Sequence, residues 1–347
     1  MKKIVFCGGG SAGHVIPNIA IIEGLKGLAE CVYLGTDGIE KRICNDNGIE
    51  FYEINAVKFV RGKILCNLSL PFKLFKSVRE VKTILEKIKP DLVFCKGGYV
   101  CVPPALAAKK CGIPVITHES DVNAGLANKF IAKRCEKVLC SFPQTAKEFD
   151  CGIYTGTPMR TNLFNRSQIE ARKKFNLDMR PTLLVAGGGN GSAKINEVVR
   201  RIAPTVCKDF NILHLCGKGK TVPADIYGYR QVEFENDAGA VFACADAAVA
   251  RCGSNTANEL IALKIPALFI PLENKRSRGD QIKNAEYFYN AGLCRVMREG
   301  DLSEAKLIEN IYSLFNDTKL KKALDASDVK CGNERIIKEI FSTLRQI

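Results

Sequence analysis

The stretch IVFCGGGSAGHVIP, residues 4–17, decides the fold, because it joins an apolar strand to a helix through a glycine-rich turn. Its spacing, Gly8-x-Gly10-x-x-Gly13, matches the fingerprint in which glycines let the backbone approach a phosphate at a helix N-terminus. His14 follows the last glycine, where the helix dipole disfavours the imidazolium cation and leaves a neutral ring that can accept a proton. The stretch predicts an α/β domain and leaves open what the turn binds.

Short apolar runs alternate with helical patterns, which predicts parallel sheets with right-handed crossovers. The first series of predicted strands is 3–6, 31–34, 91–94, 114–117 and 137–140. A second series restarts the same plan at 182–186, 211–215, 247–250 and 267–270. The predicted fold class is therefore α/β, with two facing Rossmann-like domains and ligands in an interdomain cleft at the carboxyl ends of the strands.

The length of 347 residues also indicates two domains. The predicted boundaries are 1–160, 161–330 and 331–347, with the Gly- and Pro-containing segment 156–164 as the linker. The last segment is a helix with Ile337, Phe341 and Leu344 on its apolar face.

Composition and charge restrict the class of protein. Hydrophobic residues at 46% and charged residues at 25% are typical of a soluble globular protein. The net charge of +14 predicts an acidic partner, which could be nucleic acid, an anionic membrane surface or a phosphorylated ligand. The 16 cysteines are scattered without a CxxC pair, which indicates a reducing cytosol. The first apolar run is too short for a signal peptide, and no run reaches the roughly 18 residues of a membrane span.

The segment 61–89 concentrates basic and apolar residues. A stripe at helical spacing faces the core, and it consists of Leu74, Val78, Val81, Leu85 and Ile88. The apolar residues in excess of that stripe are Ile64, Leu65, Leu68, Leu70, Phe72 and Phe75. The cations between them are Arg61, Lys63, Lys73, Lys76 and Arg79. Apolar side chains fringed by cations predict a surface that docks on anionic headgroups, and a buried loop with a solvated helix face is the alternative.

Further polar residues follow predicted strands. Tyr99 lies in the loop 97–104, and His118 and Glu119 follow the strand 114–117, from which a carboxylate could act as a general base. Two functional interpretations fit these loops. A nicotinamide enzyme would bind the ribose with Asp37, whereas a nucleotide-sugar transferase would bind phosphate at the turns. Neither a protein-bound metal nor a cofactor other than these nucleotides is indicated, because no DxD, HExxH or Cys/His cluster occurs.

Eight motifs in order resemble those of the MurG-type glycosyltransferases. They are GGGSAGHVIPNIA (8–20), GGYV (97–100), HESDVNAGLANK (118–129), GTPMR (156–160), GGGNG (187–191), HLCGKG (214–219), RCGSNTANE (251–259) and SRGDQIKNA (277–285). This family transfers N-acetylglucosamine from UDP-N-acetylglucosamine to undecaprenyl-diphospho-N-acetylmuramoyl-pentapeptide. The resemblance implies the GT-B architecture, an N-terminal domain that binds acceptor and membrane, a C-terminal donor domain, and a last helix that packs back on the first domain.

The resemblance also implies roles for single residues. Donor contacts from the first domain are implied for Ser11, Ala12, Gly13, Asp121 and Arg160. In the second domain, diphosphate contacts are implied for Gly189, Gly191 and Thr256, a ribose contact for Glu259 and a sugar contact for Gln281. The acceptor-side residues are His14, Tyr99, Glu119 and Asn128. The chain departs from the family in the first loop, which reads Ser11-Ala12-Gly13 in place of Thr-Gly-Gly. It departs also at Asp121, which replaces a frequent Asn, and at Gly189, which replaces a common Ser.

The predicted reaction inverts the anomeric carbon without a cofactor, and its general base is either His14 or Glu119. The predicted partners are UDP-N-acetylglucosamine, the lipid-linked acceptor and the cytoplasmic face of the membrane, where the protein is peripheral, and not nucleic acid. A nicotinamide dehydrogenase and a non-catalytic nucleotide-sugar-binding subunit are the alternative classes.

Overall fold

A computed structural model describes residues 1–58, 68–273 and 279–345 of the chain. The chain divides into two compact units. Unit 1 contains Met1–Arg160 and Cys331–Ile347, and unit 2 contains Thr161–Lys330. Unit 1 is therefore built from two segments that are distant in sequence, and unit 2 is inserted between them.

Unit 1 has one parallel sheet, whose described strands stand in the order β3-β2-β1-β4-β5-β6-β7. The strands are β1 (Lys2–Cys7), β2 (Ala29–Gly35), β3 (Glu50–Glu53), β4 (Leu92–Cys95), β5 (Val115–Glu119), β6 (Lys137–Cys140) and β7 (Gly152–Tyr154). The helices of the first segment are α1 (Ala12–Gly24), α2 (Ile39–Asp46), α3 (Leu70–Ile88), α4 (Val102–Lys110), α5 (Leu126–Ala132) and α6 (Pro143–Ala146). The order is that of a doubly wound fold, which reverses between β1 and β4.

Unit 2 repeats this topology with the order β10-β9-β8-β11-β12-β13, again parallel throughout its described strands. The strands are β8 (Thr182–Ala186), β9 (Asn211–Leu215), β10 (Tyr229–Val232), β11 (Ala247–Ala250), β12 (Ala267–Phe269) and β13 (Arg295–Val296). The helices are α7 (Gln168–Lys174), α8 (Ala193–Val206), α9 (Ala238–Ala243), α10 (Ser254–Ala262), α11 (Asp280–Asn290), α12 (Glu304–Phe315) and α13 (Thr318–Ala326). The predicted α/β class with two Rossmann-like halves is confirmed.

The central strands lie where the sequence predicts them, and the strands that the sequence missed are the sheet edges. Four predicted ranges, 137–140, 182–186, 211–215 and 247–250, coincide with β6, β8, β9 and β11. The missed strands are β3, β7, β10 and β13. An edge strand pairs on one side only, and these four are short and largely half-exposed, so they lack the continuous apolar run of a buried parallel strand.

The last helix, α14 (Asn333–Arg345), belongs to the core of unit 1. Ile336, Ile340 and Leu344 are buried in one cluster with residues of β1 and α1. The sequence predicted an apolar face of Ile337, Phe341 and Leu344. The buried face lies one position earlier at its first two residues, Ile336 and Ile340, whereas Ile337 and Phe341 are only partly buried. A Cβ at Gly24 of α1 would lie 2.7 Å from Ile337 Cδ1, so the two helices pack closely.

Helix α3 carries the predicted core stripe, with Val78, Val81, Leu85 and Ile88 buried and Leu74 partly buried. Ile64 and Leu65, with Arg61 and Lys63, lie outside the described residues. No described helix combines the length and the apolar character that crossing a membrane would require.

Candidate functional site

The glycine-rich turn of unit 1 lies where the strand order of the sheet reverses. Because β1 pairs with both β2 and β4, the turn after β1 adjoins the loop after β4. Gly10 has a φ of +79°, and a Cβ at Gly8 would lie 2.8 Å from the carbonyl oxygen of His14. The first turn of α1 therefore packs against backbone that has no room for a side chain.

A buried carboxylate that the sequence analysis missed lies against this turn. Glu40 is fully buried and accepts hydrogen bonds from the Gly10 N–H at 3.3 Å and from the Thr36 N–H at 3.1 Å. The Thr36 hydroxyl donates to it as well, at 2.5 Å. Asp37, the acid of the nicotinamide interpretation, is exposed. Since the Gly10 N–H already donates to Glu40, the turn is poorly suited to a dinucleotide pyrophosphate.

The loop after β4 gathers three of the predicted acceptor-side residues. Gly97 and Gly98 have φ angles of +99° and +79°. A Cβ at Gly97 would lie 3.0 Å from Asn128 Nδ2, and one at Gly98 would lie 3.1 Å from His14 Cδ2. Tyr99 follows, and its ring would lie 2.9 Å from a Cβ at Gly10. His14, Tyr99 and Asn128 therefore surround one glycine pair, and His14 and Tyr99 are partly exposed.

Glu119 and its neighbour His118 are buried within β5, although the sequence predicted that both project beyond the strand. Glu119 accepts hydrogen bonds from the Asp121 N–H at 3.0 Å, the Gly125 N–H at 2.7 Å and Asn128 Nδ2 at 2.8 Å. Both carboxylate oxygens thus hold the turn between β5 and α5. His118 Nε2 lies 3.1 Å from the Gly156 carbonyl oxygen, and burial lowers the pKa of His118 well below its usual range.

The remaining predicted residues of unit 1 lie at less enclosed positions. Ser11 precedes α1 with extended backbone, and its carbonyl accepts from the His14 N–H at 3.1 Å. Ser11 and Gly13 are exposed, and Ala12 is half-buried. Asp121 and Arg160 are half-buried, at the turn after β5 and at the end of the first segment of unit 1.

The second glycine-rich turn, residues 187–191, occupies the corresponding switch point of unit 2, between β8 and β11. Gly191 has a φ of +66°, and a Cβ there would overlap the carbonyl oxygen of Cys216. Gly189, in contrast, is exposed, and a Cβ there would meet nothing within 4 Å. Ser192 then caps α8 by accepting from the Ile195 N–H at 3.4 Å. The turn thus has a fixed end at Gly191 and an open end at Gly189.

His214 supports the strand on which this turn packs. Its Nδ1 lies 2.8 Å from the Tyr229 hydroxyl, and its Nε2 lies 3.0 Å from Asn196 Oδ1. Asn196 Nδ2 donates to the Cys216 carbonyl at 2.8 Å, the oxygen that faces Gly191. Burial, aided by the positive charge of Arg200, lowers the pKa of His214 to about 3. The ring is therefore neutral and positions the turn; it is not a candidate for proton transfer.

The other predicted residues of unit 2 lie on the two following helices. Thr256 and Glu259 belong to α10, where Glu259 is buried, and Gln281 belongs to the first turn of α11. Gln281 Oε1 accepts from the Leu272 N–H at 2.9 Å, which ties α11 to the segment that follows β12. Residues 277 and 278 of the motif that contains Gln281 lie outside the described residues.

Arg251, the first residue of the motif at 251–259, had no role predicted from the sequence, and it is a buried cation directly after β11. It donates to Ser192 Oγ at 2.8 Å and to the carbonyls of Ile270 and Pro271 at 3.0 and 3.1 Å, and it pairs with Glu299. Arg251 thereby links the turn of residues 187–191 to the ends of two strands.

Three thiols come together although the sequence shows no cysteine cluster. The Sγ atoms of Cys7, Cys95 and Cys101 lie within 4.8 Å of one another, and all three residues are fully buried. Cys7 and Cys95 are direct neighbours in the β1–β4 pair, which brings together residues that are distant in sequence. Cys101 Sγ donates to backbone carbonyls, to Gly97 at 3.0 Å and to Cys7 at 3.2 Å.

Two Rossmann-like units, each with a glycine-rich turn at its switch point, are an arrangement found in two-domain glycosyltransferases, and the family models assign the chain to that class. The chain belongs to glycosyltransferase family 28. The model of the N-terminal domain of this family matches residues 4–140, and that of the C-terminal domain matches residues 182–340.

Relatives and a solved structure are similar over nearly the whole chain. A protein of Lachnoclostridium phytofermentans is 42% identical over 328 residues, 92% of each chain. One of Lachnospira eligens is 43% identical over 326 residues, 91% of this chain and 92% of its own. Both are named UDP-N-acetylglucosamine--N-acetylmuramyl-(pentapeptide) pyrophosphoryl-undecaprenol N-acetylglucosamine transferase. The crystal structure of Acinetobacter baumannii MurG has the same fold, with a TM-score of 0.75, 24% identity, and coverage of 99% of this chain and 100% of its own.

The neutral state of His214 predicts a loss of stability in acid. The unfolded chain protonates this histidine below pH 6.5, whereas the folded chain does so only near pH 3, so stability falls as pH decreases between these values. The contribution of His214 to the loss is about 2 kcal/mol at pH 5. We expect His214→Phe to be destabilised at pH 7, yet to lose less stability than the wild type between pH 7 and pH 5 in urea unfolding.

Tyr229→Phe is the matched control for this experiment. It removes the hydroxyl beside Nδ1 and leaves the titrating ring in place, so it should retain most of the pH dependence. An equal loss between pH 7 and pH 5 in the wild type and in His214→Phe would contradict the assignment.

Proposed function

We propose that the chain transfers N-acetylglucosamine from UDP-N-acetylglucosamine to the C4 hydroxyl of undecaprenyl-diphospho-N-acetylmuramoyl-pentapeptide. This is the step from lipid I to lipid II in peptidoglycan synthesis. The observation that carries the proposal is the 42% identity, across both units, with relatives that are named for this transfer. The structure adds a distinction between the two glycine-rich turns, which supports different tasks for the two units.

The donor is assigned to unit 2 and the acceptor to unit 1. In unit 2 the open end of the turn at Gly189 and the start of α8 offer backbone N–H groups to a diphosphate. In unit 1 the Gly10 N–H is already used by Glu40, which disfavours a phosphate at that place. Gly191 and Thr256 complete the proposed diphosphate site, with Glu259 at the ribose and Gln281 at the sugar. Donor contacts by Ser11, Ala12, Gly13, Asp121 and Arg160 stay predictions.

The geometry favours His14 as the general base over Glu119. Glu119 is buried, and its two oxygens accept three hydrogen bonds from the surrounding turn. His14 is partly exposed at the start of α1, beside Tyr99 and the glycine pair 97–98. In the proposed step the C4 oxygen attacks the anomeric carbon and passes its proton to His14. The bond from the anomeric carbon to the phosphate oxygen breaks, and UDP leaves with the electron pair.

The purified chain, given both substrates in vesicles, should release UDP, and His14→Ala should lower kcat by about 100-fold or more because proton transfer typically contributes 10²–10⁴. UDP release is measured with and without the lipid-linked acceptor. Glu119→Gln, which keeps one oxygen acceptor in the buried turn, should retain more activity than His14→Ala.

Wild-type activity in His14→Ala together with loss in a folded Glu119→Gln would reverse the assignment of the base. Absence of UDP release from the wild-type chain, with binding of the donor intact, would favour the non-catalytic subunit. Stabilisation by NAD and not by UDP-N-acetylglucosamine in a thermal-shift comparison would favour the dehydrogenase.

The open position at Gly189 predicts that a side chain there can contact the donor. Gly189→Ser places a hydroxyl in space that holds no other atom within 4 Å of the Cβ, beside the proposed diphosphate site. One added hydrogen bond is worth about 1 kcal/mol, so we expect the KM for UDP-N-acetylglucosamine to fall about fivefold. Steady-state kinetics with varied donor measure this change.

Gly191→Ser is the control for Gly189→Ser, because it adds the same hydroxyl two residues away. Its Cβ would overlap the Cys216 carbonyl at a φ of +66°, so this variant should lose donor binding. A higher KM in Gly189→Ser, or normal kinetics in Gly191→Ser, would count against the proposed donor site.

The apolar-basic surface of α3 and of the turn before it supports attachment to a membrane. Leu68, Phe72 and Phe75 are 71%, 76% and 61% exposed, and Lys73, Lys76 and Arg79 lie exposed among them. Lys110 Nζ lies 5.7 Å from the ring centroid of Phe75. Exposed aromatic rings with a cationic fringe fit the interface of an anionic bilayer. We propose that the chain binds there as a peripheral protein at the cytoplasmic face of the membrane.

Phe72→Asp combined with Phe75→Asp should sharply reduce co-sedimentation with vesicles of anionic lipid, because both apolar contacts are replaced by repelled charges. The control is Ile169→Asp, a residue of unit 2 that is 59% exposed and lies outside this surface. The control should sediment like the wild type, and an undiminished pellet of the double variant would contradict the proposed surface.

A further inference from the structure

Lys96 is a buried cation that none of the roles above accounts for. It follows β4 and is only 1% exposed. Its ammonium donates to the Ser120 hydroxyl. Within residues 1–58, 68–273 and 279–345 it forms no ion pair, so it balances nearby carboxylates from a greater distance. Keeping a charge out of water is costly, and such groups concentrate at functional sites.

The position of Lys96 connects three loops at the switch point of unit 1. Its backbone N–H donates to the Cys7 carbonyl at 2.8 Å, and its Cβ lies 3.2 Å from the place of a Cβ at Gly8. The glycine pair 97–98, which adjoins His14 and Asn128, follows directly in the chain. The side chain of Lys96 extends to Ser120 in the turn after β5.

The groups that interact electrostatically with Lys96 come from several elements. They are Glu119 of β5, Asp121 of the following turn, His118 of β5, Cys101 of the 3-10 turn after β4, and Cys140 of β6. Desolvation lowers the pKa of Lys96 to about 8, although the negative charges of Glu119 and Asp121 oppose this change.

We propose that Lys96 is a positioning residue for the acceptor side of the site. Its ammonium anchors the turn at Ser120 and balances the Glu119 carboxylate, which holds Asn128 against the glycine pair beside His14. Lys96 touches no substrate in this proposal; it acts through the turn and through Glu119. The inference rests on the proposed transferase function.

A purely structural role makes a different prediction from a positioning role. If Lys96 only stabilised the fold, Lys96→Met would lower Tm and activity together. Methionine has a similar length and carries no charge. Because burial lowers the pKa of Lys96, the charged ammonium costs stability in the folded chain at neutral pH, and the substitution removes that cost. A positioning role therefore predicts an unchanged or higher Tm in Lys96→Met together with a lower kcat.

The experiment compares kcat, the donor KM and Tm in the full-length wild type, Lys96→Met, Lys96→Arg and Lys109→Met between pH 6.5 and pH 9.5. Lys109 is the control, an exposed lysine of the same unit that pairs with Glu136. We expect the wild-type kcat to fall above about pH 8 as Lys96 loses its proton. Lys96→Met should be at least tenfold slower and nearly independent of pH, with the donor KM unchanged, and Lys109→Met should behave as the wild type.

Lys96→Arg retains a charge above pH 8, so it should restore part of the activity and move the alkaline decline to higher pH. Where the larger side chain prevents folding, Ser120→Ala takes its place. This variant removes the acceptor of the ammonium and should move the decline to lower pH.

A readout independent of turnover follows from proton linkage. Between pH 8 and pH 10.5 the unfolded chain keeps the Lys96 proton and the folded chain releases it, so stability from this group rises with pH. The Tm advantage of Lys96→Met over the wild type should therefore shrink from pH 7 to pH 9.5.

A wild-type kcat and pH profile in Lys96→Met would overturn the inference, as would a parallel loss of Tm and kcat. Absence of UDP release from the wild type would instead overturn the transferase proposal, and the difference in Tm would still report on Lys96.

Discussion

The close approach of backbone to backbone at the two glycine-rich turns is the constraint on which both sites depend. Gly8 packs against the first turn of α1, and Gly191 packs against the carbonyl of Cys216, in each case without room for a Cβ. These contacts bring the start of a helix directly onto the carboxyl edge of a sheet. Glu119 at the end of β5 and Arg251 directly after β11 lie at the same edges of the two sheets.

The two units differ in how they use the same turn. In unit 1 the protein's own carboxylate, Glu40, takes the N–H of Gly10, and buried polar contacts of Glu119 and Asn128 hold the neighbouring loop. In unit 2 the supporting groups, Arg251 and the His214 network, lie behind the turn and leave the Gly189 end open to solvent. The same topology therefore gives a first turn whose Gly10 N–H is bound by the protein's own carboxylate, and a second turn whose Gly189 is exposed to solvent.

The sequence predicted the central strands and both turns because each is encoded by a local pattern, an apolar run or a glycine-rich motif, within a few consecutive residues. It missed all four edge strands, since half-exposed strands lack an apolar run. It also missed Glu40 and Lys96, whose importance arises from burial between elements that are far apart in the chain. Asp37 and Glu40 are three residues apart in the sequence, and only the packed structure distinguishes the exposed acid, Asp37, from the buried one, Glu40. The extension of β5 as far as Glu119 likewise depends on a neighbouring strand, because Glu119 pairs with Cys140 of β6.

The contribution of α14 to unit 1 has a consequence for how the chain folds during its synthesis. The apolar surface of β1 and α1 is covered by Ile336, Ile340 and Leu344, which the ribosome adds more than 300 residues later. Unit 2 is contiguous, and its described strands, β8 to β13, have been synthesised before α14 exists. N-terminal domains usually fold first during synthesis. Here unit 1 can complete its core only after unit 2 has been synthesised. Until α14 has been synthesised, a nascent chain therefore exposes an unfinished first unit, while the second unit can already close its core.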